Sequence, residues 1–150
     1  MITAAQYFGA KPHTQADEEV AKDLLARVNA LIGEAVAAGA FVRVIDPDTG
    51  TEISGARGGA GDGGFRVRTS ITGRPGSSHK EAKGVDPYDP DSRLDTWLDR
   101  FEDGNGGNSK LEAYGLYREH PDATRGGTPE QDWCHLQTRA PGSGRRTFRP

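Results

Sequence analysis

The chain has 150 residues, of which 33% are hydrophobic, with 21 glycines and 9 prolines, so one compact domain with a modest core and much loop is expected. Nineteen basic and 22 acidic side chains are interspersed to a net charge of −3, which leaves no electrostatic footprint for nucleic acid or an anionic membrane. A single cysteine excludes an intrachain disulfide framework.

Met1 to Gly9 has neither a basic nor an apolar signal-peptide region, and no later stretch approaches membrane-spanning length. No address for export and no membrane insertion are therefore expected. A helix is expected over about 14–38: Thr14 caps it, acids fill its first turn, Gly39 stops it, and Val20, Leu24, Val28, Leu31, Ala35 and Val36 form a core-facing stripe. Phe41 to Ile45 and Thr51 to Ile53 read as a hairpin around a turn at Asp46 to Gly50. The glycine-rich run from Gly55 to Gly64 reads as a mobile surface loop. No Gly-Lys-Ser/Thr ending or dinucleotide spacing makes it a phosphate cradle.

An extended segment is expected over Phe65 to Thr69, a turn over Gly73 to Ser78, and a short strand over Val85 to Tyr88. Pro90 opens a helix carrying Leu94, Trp97, Leu98 and Phe101 on one face. After a Gly/Asn loop come a short helix at Lys110 to Tyr114, a strand at Leu116 to Arg118, and a final strand through Trp133 to Gln137. Arg139, Arg145, Arg146 and Arg149 lack an aromatic ladder and read as a solvated tail.

The chemistry concentrates at His79, Asp86 and His135. Two imidazoles and a carboxylate suit Zn²⁺, and three protein ligands leave a fourth tetrahedral position for water, whereas a structural site more often closes with thiolates. Cys134 would point away from such a site in a regular strand and reads as a small core residue. No oxyanion motif accompanies it, which argues against a cysteine hydrolase. His13 reads as a cap-region residue, His120 as structural or supporting, and Trp133 and Tyr88 as packing around the ligands.

The run Ser77-Ser78-His79-Lys80-Glu81-Ala82-Lys83-Gly84-Val85-Asp86 resembles the Ser-x-His-x-x-Gly-x-Ala-x-Asp signature of the zinc D-Ala-D-Ala carboxypeptidase family, and Trp133-Cys134-His135 resembles its Trp-x-His ending. The resemblance spans Phe65 to Gln137. It is closer still to small phage-encoded peptidases of that family, through the Gly-Ser-Ser-His-Lys-Glu run, Tyr-Asp-Pro-Asp, and Ala-Pro-Gly-Ser-Gly-Arg-Arg.

By that resemblance His79, Asp86 and His135 are the zinc ligands. Asp132, three residues before the last histidine and at a bend leading into its strand, is the acid/base carboxylate. An upstream arginine binds the substrate carbonyl or carboxylate; Arg66 in Gly64-Phe65-Arg66 is the best match, with Arg57 and Arg74 as rivals. The resemblance implies a single α+β domain of Hedgehog/DD-peptidase type, a small antiparallel sheet with helices on one side. It implies zinc-dependent hydrolysis of a peptidoglycan stem peptide, at D-Ala-D-Ala or as an endolysin at L-Ala-D-Glu. The alternative expectation is a phage tail or virion component that keeps the fold without catalysis.

Overall fold

The computed structural model describes residues 1–55 and 63–150. Helix α1 (Ala4–Phe8), which the sequence reading did not anticipate, begins at a capping box between Thr3 and Gln6 and ends at Gly9, whose φ is +55°. Helix α2 (Gln15–Ala37) is the expected long helix. Thr14 accepts from Asp17 N at 3.1 Å, and Asp17 accepts from Thr14 N at 2.9 Å. Ala21, Leu24, Leu25, Val28, Leu31, Ile32 and Ala35 form its buried stripe, while Val36 at the C-terminal end is exposed.

Helix α3 (Arg93–Asp99) follows a short 3-10 turn at Pro90–Ser92, and α4 is Ser109–Ala113. Leu94, Trp97 and Leu98 of α3 join Leu111 of α4 and the α2 stripe in one apolar core. Among the described residues no helix is long and apolar enough to cross a membrane.

The sheet consists of β1 (Gly84–Val85), β2 (Tyr117–Glu119), β3 (Leu136–Gln137) and β4 (Thr147–Phe148), in the order β1-β3-β2-β4. Strand β3 runs antiparallel to β1 and β2, but β4 runs parallel to β2, so the sheet is mixed and the expectation of an antiparallel one is corrected. The reason is the C-terminal segment, whose backbone pairs with β2 although Arg145 and Arg149 remain exposed as expected. Arg118 N donates to Arg146 O and His120 N to Phe148 O, while the Arg146 guanidinium lies 4.3 Å from the centre of the Tyr117 ring. A charge-rich segment thus completes the sheet through its backbone. The α+β class holds.

The expected hairpin shrinks to its turn. Asp46 bridges Thr51, and Gly50 adopts φ +68° there, yet Phe41 to Ile45 forms no ladder and Val42 and Ile45 are exposed. Ile53 instead bridges Pro87. The expected extended segment at Phe65 to Thr69 likewise forms no strand. Its backbone bonds go to Tyr7 and His79. Of the glycine-rich run, residues 56–62 lie outside the described residues, and its end is not a surface loop, since Gly63 and Gly64 are buried.

Candidate metal centre

Strand alternation sorts the sheet into two faces. Arg118, Cys134, Leu136 and Val85 point toward α3 and the core, where all four are buried. The opposite face carries the candidate ligands. The β1–β3 register pairs Gly84 with Gln137 and Val85 with Leu136, so one further step sets Asp86 opposite His135. His79 arrives from the 3-10 turn Ser78–Glu81, after which Ala82, at φ +57°, reverses the chain into β1.

These placements bring three ligand atoms together. His79 Nε2 lies 3.2 Å from His135 Nδ1 and 3.3 Å from Asp86 Oδ1, and the last two atoms are 2.7 Å apart. Zinc bonds of about 2.0 Å to nitrogen and oxygen span a tetrahedral edge of about 3.3 Å, so the set fits such an ion with small adjustments. The three residues are buried, and they form the group able to hold a metal ion among the described residues.

The far side of each imidazole is also engaged. His79 Nδ1 is 2.8 Å from Gly64 O, an acceptor only, so Nδ1 carries the hydrogen and Nε2 presents its lone pair. His135 Nε2 is 2.9 Å from Gln137 Oε1. Gln137 Nε2 donates to Arg139 O, which turns its amide oxygen toward His135. Both rings are therefore oriented for coordination by acceptors behind them.

Close approach requires glycine at several places around the site, Gly64 and Gly84 among them. A Cβ at Gly64 would sit 2.4 Å from Tyr7 O, and one at Gly84 would sit 2.2 Å from Ser78 Oγ and 3.2 Å from His135 Cε1. Tyr7 of α1 thus backs the loop that holds His79, and its hydroxyl donates to Gly84 O at 3.0 Å.

Electrostatics follow the geometry. Burial pushes the His79 pKa down, aided by His135 and Arg66 and opposed by Asp86. Burial also opposes charge on Asp86, yet the two imidazoles hold its carboxyl well below the usual range. For His135, burial is outweighed by the hydrogen bond and charge of Asp86, with help from Glu119 and Gln137, and the pKa rises to about 9.

A cleft of about 720 Å³ opens over this group, walled in part by Arg66, Arg74, Glu119, Trp133 and Arg139. Arg66 is nearly buried, its guanidinium 3.6 Å from Asp86 Oδ2 and its amide donating to His79 O. Arg74 is an exposed rim residue, and Arg57 lies outside the described residues.

Asp132 is not brought to this group. It does follow a bend, the 3-10 turn Pro129–Gln131, but its Oδ2 accepts from Ser92 Oγ at 2.8 Å and its Oδ1 from Gly126 N at 2.9 Å. It does not line the cleft. Asp91 and Ser92 adopt φ of +62° and +52°, strained for residues with side chains, and the Asp132 bond helps hold that turn.

Cys134 is buried against Asp95 with a raised pKa, as its turned-away position requires. His120 caps the 3-10 turn Pro121–Ala123, and His13 stacks on Phe8 with ring centres 3.9 Å apart. Tyr88 donates to Glu130 O at 2.6 Å. Sequence reasoning missed Gln137, Gly64 and Glu119. Gln137 was detectable, two residues after His135 and so on the same face of a strand, whereas no local signal marked Gly64 as an acceptor.

The chain matches no protein-family model, and neither the curated proteins nor the solved structures contain a match to it.

Proposed function

We propose that the protein is a zinc-dependent peptidase that hydrolyses an amide bond of a peptidoglycan stem peptide, at D-Ala-D-Ala or L-Ala-D-Glu. The observation that carries this reading is the convergence of His79 Nε2, Asp86 Oδ1 and His135 Nδ1 to within 3.3 Å of one another at the floor of a cleft. The likeness of the Ser-Ser-His and Trp-x-His runs to the carboxypeptidase signature supplies the substrate class.

When bound, Zn²⁺ lowers the pKa of a coordinated water from roughly 16 to about 7 and polarises a carbonyl. The remaining tasks fall to side chains. Gly64 and Gln137 hold the imidazoles in their coordinating tautomers. Arg66 lines the cleft beside Asp86, where its fixed positive charge suits the oxyanion of an attacked carbonyl or a substrate carboxylate. The site of action is the cell wall, reached by lysis or as part of a phage particle.

Purified protein is expected to carry one zinc per chain by elemental analysis and to release new amino groups from peptidoglycan, with mass spectrometry of muropeptide fragments naming the bond cut. Zinc retained without any released amine would favour a virion binding component. A His79→Ala protein that still holds stoichiometric zinc would remove the ligand assignment.

A further inference from the structure

A metal-assisted hydrolase needs a group that takes a proton from the attacking water and returns it to the departing amine. Asp132 has the sequence position for this role, but Ser92 and Gly126 hold its two carboxylate oxygens away from the cleft. Among the described residues two carboxylate side chains wall the cleft, Asp86 and Glu119. Asp86 is committed to the ligand set.

Glu119 ends β2, whose register with β3 pairs Tyr117 with Gln137 and Arg118 with Leu136; one further step sets Glu119 opposite His135. Alternation along β2 buries Arg118 against α3 and turns Glu119 to the cleft face. Its carboxylate makes no hydrogen bond or ion pair among the described residues. Glu119 is half-buried, reachable by substrate and partly shielded from solvent.

We propose that Glu119, rather than Asp132, is the general acid/base of this site. The inference rests on the hydrolase reading above. As the water oxygen bonds to the carbonyl carbon, a Glu119 carboxylate oxygen accepts the water proton. As the C–N bond breaks, the same proton passes to the amine nitrogen. Water is the sole co-reactant, and the products are a carboxylic acid and an amine.

The test compares Glu119→Gln with Asp132→Asn in zinc-loaded full-length protein, following zinc per chain, melting temperature, stem-peptide hydrolysis, and calorimetric affinity of the metal-free proteins for the same peptide. Glu119→Gln is expected to keep its zinc and its peptide affinity while kcat falls about 100- to 10,000-fold with little change in KM. Asp132→Asn is expected to hydrolyse within about threefold of the parent but to melt about 3 °C lower, since it loosens the turn at Ser92. If instead Asp132→Asn abolishes turnover with zinc and fold intact, and Glu119→Gln does not, the assignment is overturned while the hydrolase reading stands. If the zinc-loaded parent releases no amine, both fall together. Should Glu119→Gln fail to fold, Glu119→Asp carries the test: withdrawing the carboxylate by one methylene lowers kcat, and an undiminished kcat overturns the proposal.

Discussion

Two clusters of buried charge lie on opposite faces of the same small sheet, and they are built to opposite rules. Arg118 is fully buried, and every arm of its guanidinium is answered: Nη1 by Asp95 at 2.9 Å, Nη2 by Asp99 and by Glu102 at 2.7 Å, and Nε by Thr147 at 3.2 Å. Donors and acceptors there close on one another, and burial of Arg118 is outweighed by the neighbouring acids so that its pKa is raised. Around His79, Asp86 and His135 the far sides of the rings are satisfied while three atoms able to coordinate a metal crowd inward. Burial of polar groups alone does not separate scaffold from site. The convergence of potential ligand atoms at one point does.

The largest expected effect breaks the closed cluster. Arg118→Ala leaves Asp95 buried without its cation and should cost about 3–5 kcal/mol in denaturant unfolding, with zinc per folded chain unchanged. Gln137→Leu sharpens the contrast from the other side. It removes the acceptor behind His135 and should weaken zinc affinity about 10- to 100-fold in competition with a chelator, with a much smaller change in stability.

The smallest effect is a proton count. In the metal-free protein the raised pKa of His135 stabilises the fold fully below about pH 6.5, and that contribution is lost as pH climbs through about 9. Near pH 7.5 zinc must displace the Nδ1 proton and ionises most of a coordinated water of pKa about 7, so calorimetry in buffers of different ionisation enthalpy should report release of nearly two protons per zinc, falling toward about one above pH 9. A release of about one or less at pH 7.5 would mean that Asp86 does not hold His135 charged.

The ligand trio was legible because its signal lies in residue type and spacing, and α2 because a cap, an acidic first turn and an apolar stripe agree over 23 residues. Elements whose cause is tertiary were not legible. Strand β4 sits among arginines and owes its pairing to carbonyls of Arg146 and Phe148, which no side-chain pattern announces. Phe41 to Ile45 has strand-like residues but no partner, because Ile53 leaves the hairpin to bridge Pro87. Asp132 was legible as a position and not as a direction: its spacing from His135 says nothing of Ser92, which is distant in sequence. Gly64 carries no side chain, so its part in orienting His79 was invisible until Tyr7 and His79 were seen to press on it from two sides.

That contact ties the first helix to a candidate metal site it never touches. Tyr7 supports both Gly64 and Gly84, so whatever steadies His79 and His135 also steadies α1, and the coupling is reciprocal. Zinc loading should slow amide hydrogen exchange in residues 4–9, and trimming those residues should speed zinc loss, although no ligand has been altered.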